Sequence, residues 1–522
     1  MSDVENKTGP SRKPIRWWPG IVIVVLAVVA IVWMRRQEDW AFQKRNLAVA
    51  QVVIISGILL LIWWTFLSRA PTRLRLGMTF GAIGLVIILG AMFRIRGMSG
   101  DMLPIVEFRW AKRAPTGVDS APTKEVPTLN FTPEALDVAF PQFLGPDRNG
   151  VLSGPRLQTD WAKRPPEILW RQNVGPAWSG FAVVGVMAVT QEQHGDEEIV
   201  IARALLTGRE VWRHADKARY NTVIAGEGPR ATPTISEGRV FTVGATGILN
   251  CLDLATGRRL WSRNLIAEGA KMAQWGCASS PLLVGELVVV HGGEDAPKSL
   301  EAFQIADGKP AWSASGLSPS YASPITATLA DVPQVLAFND GSVAAHDPAT
   351  GKLLWQKSWG NGNVVCSSPV VVSSNRVLFS SGYGVGAELL EISRNDVGKM
   401  SVNSIWKSMR MKAKFSHLFA RDGFLYGLDD GIFACVNLAD GSLRWKEGRY
   451  GHGQGLLVGE NYLLMAESGE LVLLKPTPDA PNELARFRVF NSKTWNPPAL
   501  VGDLLFVRND QEAACVRLKT LP

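Results

Sequence analysis

One short pattern recurs along most of this chain and restricts its architecture more than anything else does: an apolar strand, a Gly-containing turn, three residues, then Trp. It occurs as Leu206-Thr207-Gly208-Arg209-Glu210-Val211-Trp212, as Asp253 to Trp261 through Thr256-Gly257, and as Ala306-Asp307-Gly308-Lys309-Pro310-Ala311-Trp312. Further copies run from Asp347 to Trp355 through Thr350-Gly351 and from Asn437 to Trp445 through Asp440-Gly441, with degenerate copies ending at Trp406, behind an insertion, and at Phe487. Starting from Trp170, the aromatic positions 170, 212, 261, 312, 355, 406, 445 and 487 are 42, 49, 51, 43, 51, 39 and 42 residues apart. Periods of about 40–50 residues holding several short strands are the mark of a β-propeller. The Gly supplies the positive φ of a hairpin turn, and the Trp four positions on is placed to pack across the outer strand onto the next blade.

A second landmark fixes the phase. Each unit opens on a small-residue step into an apolar strand: Ala231-Thr232-Pro233, Ser279-Ser280-Pro281, Ala322-Ser323-Pro324 and Ser367-Ser368-Pro369, with variants at Ser179-Gly180, Ser416-His417, Gly453-Gln454-Gly455 and Asn496-Pro497-Pro498. Trp170 precedes the first opening, and the last strands, Leu504–Arg508 and Ala513–Leu518, have no closing Trp. A strand bearing Trp170 therefore completes the last blade, which leaves no free sheet edge. The expectation is an all-β, eight-bladed, self-closed propeller over about 161–518, within a domain at 141–522.

Before the propeller the composition changes. Trp17–Met34, Leu47–Leu67 and Leu76–Phe93 are uncharged apolar runs of near-spanning length, bounded by Arg35-Arg36, Lys44-Arg45, Arg69, Arg73, Arg75, Arg94 and Arg96 and carrying Trp17, Trp18, Trp33, Trp63 and Trp64 where an interfacial belt would lie. They predict three transmembrane α-helices in a region 17–96, after an N-terminal tail 1–16. Met34-Arg35-Arg36 stands where a cleaved signal peptide would need small residues, and no Cys precedes position 251 to carry a lipoprotein anchor. Residues 97–140 form a linker, Pro-rich and polar from Ala114 on, that reads as a semi-extended tether.

The net charge of +8 suggests an acidic partner until it is divided: residues 1–113 hold 16 Lys/Arg against 6 Asp/Glu, leaving 39 against 41 for the rest. The excess flanks the apolar runs, so nucleic-acid binding is not indicated. With the N-terminus inside, seven cations lie on its side of the membrane and nine on the other, a slight lean toward a cytoplasmic propeller. Of the five Cys, Cys251, Cys435 and Cys515 share one strand position in blades two, six and eight, and Cys277 and Cys366 share another in blades three and five; equivalent positions in non-adjacent blades are too far apart for bridges, so no disulfide is expected.

These Trp-ended turns with Ser-Ser-Pro openings resemble the quinoprotein (PQQ) type of eight-bladed propeller, and Phe140-Pro-Gln-Phe-Leu-Gly-Pro-Asp-Arg-Asn-Gly150 looks like the lead-in of bacterial PQQ-repeat proteins. The resemblance covers about residues 140–518 and speaks to fold more than activity. That superfamily includes PQQ-dependent alcohol dehydrogenases and the propeller lipoprotein of the outer-membrane barrel-assembly machine. The resemblance implies a propeller outside the bacterial cytoplasmic membrane, in the periplasm, against the charge count. Its dehydrogenases use PQQ with Ca²⁺, a disulfide between adjacent cysteines and a catalytic Asp; this chain has no adjacent Cys pair, and none of that site's Glu, Asn or Asp finds a match here.

Three residues before the end of each opening lie Trp178, Arg230, Ala278, Tyr321, Cys366, Phe415, His452 and Trp495. Because the openings begin the innermost strands, these residues are expected to ring one mouth of the central channel, with Trp275 just upstream. Four aromatics, an Arg and a His suit a planar or anionic ligand or a peptide; the plainer reading is that they fill the axis and cap loops. Gly382-Tyr-Gly-Val-Gly-Ala387 imitates a dinucleotide fingerprint but has no helix after it. Asp147-Arg148-Asn149-Gly150 has two of a calcium loop's oxygen ligands and reads instead as a turn. The six His show no HxH or HExxH spacing, though His417 and His452 come from neighbouring blades near the axis, where a shared metal is the less favoured reading. With no nucleophile elbow and no Walker motif, the sequence favours a non-catalytic, membrane-anchored scaffold for protein partners or a ligand of unknown identity, in cell-envelope assembly; a PQQ- and Ca-dependent oxidoreductase is the alternative, and recognition of a polysaccharide by the aromatic rim is not separable from sequence.

Overall fold

The computed structural model describes residues 14–37, 40–111, 139–266, 272–292, 298–315, 320–339, 341–360 and 364–521. The chain divides into two compact units, Met1–Lys112 and Arg113–Pro522. The proposed tether from Ala114 to about Phe140 lies almost wholly outside the described residues.

In the first unit, helices α1 (Trp18–Arg35), α2 (Phe42–Ile62, prolonged by a π turn at Trp63–Leu67) and α3 (Thr72–Met92) follow the three apolar runs. All three are long and apolar enough to cross a membrane. Pro19 in the first turn of α1, and Pro71 capping the start of α3, place prolines where a missing N–H costs nothing. A Cβ on Gly20 would meet the Trp63 ring at 2.7 Å, so this glycine lets the two segments approach closely, and the Trp63 indole donates to the Arg16 carbonyl at 3.2 Å. The stretch read as the start of a linker folds further than expected: Phe93–Met98 and Pro104–Phe108 pair as an antiparallel hairpin directly after α3.

The second unit is the propeller. Blades 1 to 7 are antiparallel sheets of consecutive strands, within 182–217, 234–264, 282–315, 325–358, 370–408, 419–449 and 454–488. Blade 8 takes three strands from 499–517 and its outermost from Glu167–Asn173, with Cys515 opposite Trp170. The ring is thus closed by the strand that the spacing predicted.

Seams between blades show why the repeat has its form. The indole N–H of Trp170, Trp212, Trp261, Trp312, Trp406 and Trp445 donates to the carbonyl of Leu205, Leu254, Ile305, Pro348, Leu438 and Thr477 in the following blade. Each ring among the first three also lies flat on the next turn glycine: at Gly308 (φ +69°) a Cβ would stand 2.6 Å from the Trp261 ring. Glycine is needed there twice over, for its positive φ and for its missing side chain. Two exceptions explain the degenerate copies. Blade 5 carries long strands, Gly386–Arg394 and Met400–Ser408, so its turn is displaced and the Trp355 indole bonds Gln334 Oε1 of its own blade at 2.7 Å. Blade 8 has no outer turn, since its last two strands come from opposite chain ends, and the residue facing it is Phe487, whose side chain has no N–H to satisfy.

Closure is also polar. Fully buried Arg508 of blade 8 donates to Thr190 Oγ1 (2.9 Å), the Gln191 carbonyl (2.7 Å) and the Gly175 carbonyl (2.8 Å). Beside it, Glu192 of blade 1 pairs with Arg203 at 2.9 Å. Burial pushes the Glu192 carboxyl up, but the charge of Arg203, a hydrogen bond with His194 and the charge of Arg508 outweigh it and hold the group below the ordinary carboxylate range. All five cysteines are free thiols.

Candidate functional site

In each blade the innermost strand starts at one face of the ring and ends at the other, so the loops entering the inner strands share a mouth with the turns between second and third strands. The two mouths differ in kind.

The mouth where inner strands end is crossed by the chain itself. Phe140 pairs with Val183 of blade 1, and the Pro141 carbonyl accepts from Ile235 N of blade 2 at 2.8 Å. Arg148 is buried and donates to the carbonyls of Ser280 (3.2 Å), Pro281 (2.8 Å) and Pro324 (3.1 Å), which joins blades 3 and 4. His417 Nε2 bonds the Asn149 carbonyl at 2.7 Å in blade 6, and Val151-Leu152 runs parallel to Leu457-Val458 in blade 7. Residues 140–152 thus form a plug stitched to six blades. Burial lowers the Arg148 guanidinium to about 9, and it still carries its charge at neutral pH onto three carbonyl dipoles. The Asp147-Arg148-Asn149-Gly150 turn is therefore the tip of the plug. Sequence reading missed this role, because a single arginine in a polar turn carries no spacing signal.

The opposite mouth holds the residues singled out from the openings. Trp178, Trp495, Phe415 and His452 form one continuous arc, with ring centroids 4.9, 5.0 and 5.5 Å apart in succession. Trp275 contacts Tyr321 (5.3 Å) and Tyr383 (6.2 Å) in a second arc. Cations edge both: Lys493 Nζ lies 3.8 Å from the Trp495 centroid and 4.7 Å from that of Trp178, and Lys414 Nζ lies 5.0 Å from Tyr383. Glu467 braces the first arc, accepting from Trp495 Nε1 at 3.0 Å and from His452 N at 2.9 Å.

Arg230 belongs to neither arc. Its guanidinium donates to the carbonyls of Gly228, Ala225 and Gly226 and stacks 4.2 Å from the Tyr220 centroid, so it rigidifies its own loop. Burial lowers it to about 10, with Tyr220 and Glu198 opposing. The two histidines have different partners: His417 Nε2 is spent on the plug, where burial lowers it to about 4, and the His452 ring lies tilted against that of Phe415. The Gly382–Ala387 stretch is a turn at 382–385 running into the third strand of blade 5, and it carries Tyr383 to the rim. Tyr383, Lys414, Glu467 and Lys493 escaped sequence reading. The signal for Tyr383 and Glu467 was present, since turns between second and third strands share this face.

The residues present do not fit the Ca²⁺-assisted quinone centre that the resemblance implies. Among the described residues no three His, Cys, Asp or Glu side chains converge. The axis beneath the aromatic arcs is also entered by Arg148, whose positive charge would repel a cation there.

Residues 196–447 match a PQQ-repeat family model described as outer membrane protein assembly factor BamB. No curated protein matches the chain. Among solved structures, quinohemoprotein alcohol dehydrogenase from Comamonas testosteroni is similar at a TM-score of 0.54 and 11% identity, over 73% of this chain and 81% of its own. BamB from Moraxella catarrhalis gives 0.48 at 14% identity, over 68% of this chain and 99% of its own. The repeat, the eight blades and the family-model match over 196–447 agree that this chain carries an eight-bladed β-propeller with PQQ-type repeats.

Proposed function

We propose that this protein is a non-catalytic binding scaffold, anchored in a bacterial cytoplasmic membrane with its propeller in the periplasm, that presents the aromatic mouth to a protein partner in cell-envelope assembly. The observation that carries the reading is the contrast between mouths. One is sealed by residues 140–152, and the other offers two aromatic arcs edged by lysines. Aromatic rings held rigid by a carboxylate are suited to desolvated contact and bind at little entropic cost. Glu467 of the rim is already engaged with Trp495 and His452, and among the described residues no nucleophile is paired with a base there. The description of the matching family model, an outer-membrane protein assembly factor, supports the same class of role.

The test is photo-crosslinking from the rim in intact membranes, comparing the native chain with Trp178→Ala, Trp495→Ala and a Leu206→Ala control on the outer surface. Loss of the same crosslinked partner in both rim variants, with unchanged thermal midpoint and a normal control, is the expected result. Saturable PQQ and Ca²⁺ binding with dye-linked alcohol oxidation by the purified chain would replace this reading with an oxidoreductase. A reporter fused after Pro522 that is active only in the cytoplasm would overturn the placement.

A further inference from the structure

Helix α3 runs into the hairpin without a linker: it ends at Met92, and the first strand starts at Phe93. Phe93 faces Phe108, Arg94 faces Glu107, and Ile95 faces Val106. Strand alternation therefore puts Phe93, Ile95, Val106 and Phe108 on one face and the Arg94–Glu107 pair on the other. A two-stranded hairpin in water is marginal, and it survives by turning its apolar face onto a core. Here the faces are inverted. Ile95, Val106 and Phe108 are 58%, 54% and 45% exposed, and Trp110, in the turn after this strand with its ring 6.2 Å from that of Phe108, is 65% exposed. Arg94 and Glu107, paired at 2.7 Å, keep only 33% and 21% of their side chains exposed, and Arg96 keeps 20%.

The hairpin is pinned at both ends to the helices. At its base, Arg109 N donates to the Met92 carbonyl and Arg109 Nε to the Gly90 carbonyl, both at 2.9 Å. At its tip, Asn46 Nδ2 donates to the Asp101 carbonyl at 2.9 Å, while Arg35 Nη1 holds Asn46 Oδ1 at 3.0 Å. Arg35 ends α1, Asn46 lies in the opening turns of α2, and Met92 ends α3, so the hairpin is level with the three helix ends on one side. Apolar side chains outward and charged ones inward is the pattern of strands bathed in lipid, and Trp with neighbouring Arg is the composition of the headgroup boundary.

We propose that the hairpin 93–108 is an interfacial foot, its Ile95–Val106–Phe108–Trp110 face immersed in the boundary between headgroups and acyl chains. The inference rests on the reading that α1–α3 span a membrane. It gives the apolar face the one solvent that its continuity with α3 supplies, and it places Arg109 at phosphate level, where it also closes α3.

The test uses the full chain in nanodiscs of phosphatidylethanolamine and phosphatidylglycerol, with a benzophenone amino acid at Val106, at Phe108, at Ile87 within α3 or at Val397 on the propeller. Mass spectrometry after irradiation is expected to show lipid adducts at Val106 and Phe108 in yields comparable to Ile87, and none at Val397. Adducts at Ile87 with no lipid product at Val106 and Phe108, or with crosslinks from them to the propeller or to a second copy, would overturn the foot while leaving the spanning helices intact. Absence of adducts at Ile87 as well would overturn the membrane reading itself.

Discussion

Gly308→Ala tests the seam between blades most directly, because a matched glycine isolates the contact. Gly308 (φ +69°) lies beneath the Trp261 ring, 2.6 Å from where a Cβ would stand; Gly238 (φ +71°) has the same backbone conformation and no atom within 4 Å of that point. Alanine at either position meets the same left-handed penalty of about 1–2 kcal/mol. Only at 308 does it also displace the indole, adding about 1–3 kcal/mol of overpacking and about 1 kcal/mol as the Trp261 bond to the Ile305 carbonyl (2.9 Å) is stretched. Gly308→Ala should therefore be less stable than Gly238→Ala by about 2–4 kcal/mol. The measurement is the urea midpoint of the detergent-solubilised chain, followed by tryptophan fluorescence. Placing Gly308→Ala in a Trp261→Leu background should recover most of the difference, since the clash then has no partner. Equal losses at 238 and 308 would refute the idea that the turn glycine exists to seat the neighbouring indole.

Arg148→Ala should leave the carbonyls of Ser280, Pro281 and Pro324 buried without their donor, costing about 3 kcal/mol or more and exposing 140–152 to protease, as limited proteolysis with mass mapping would show. Arg148→Lys should recover only part of this, because one ammonium cannot reach across two blades as the guanidinium fork does. Glu198 supplies a pH dependence: it is 5% exposed, and burial raises its carboxyl to about 7 against hydrogen bonds from Thr246 and Ala245. Between the ordinary value near 4.5 and 7, the folded chain keeps a proton that the unfolded chain has lost, so this group's contribution to stability declines as pH rises through that window, by up to about 3 kcal/mol. Subtracting the pH profile of the Glu198→Gln chain from that of the native chain should reveal this decline between pH 4.5 and 7; a flat difference would refute it.

The rim and the plug show where sequence reasoning reaches its limit. Blade count and closure were legible because each blade repeats one local problem, a tight turn that must also receive an indole, and Gly and Trp answer it at a fixed spacing. The opening residues were legible as a set for the same reason, and Trp178, Trp495, Phe415 and His452 do meet. Arg230 was read as part of the same set, and a sequence does not reveal that three carbonyls of its own loop accept from its guanidinium. The hairpin after α3 was hidden by the polar, Pro-rich stretch that follows it, although its Arg-Ile-Arg and Val-Glu-Phe alternation has the period of a strand.

By itself the sequence determined what is periodic: three apolar runs of spanning length, then eight units joined by the first and last strands, since periodicity in residue type follows from periodicity in local geometry. Only the tertiary structure decided which mouth the chain itself crosses. Residues 140–152 meet six blades at separations of up to several hundred residues, and contacts of that range leave no spacing in the chain from which they could be read.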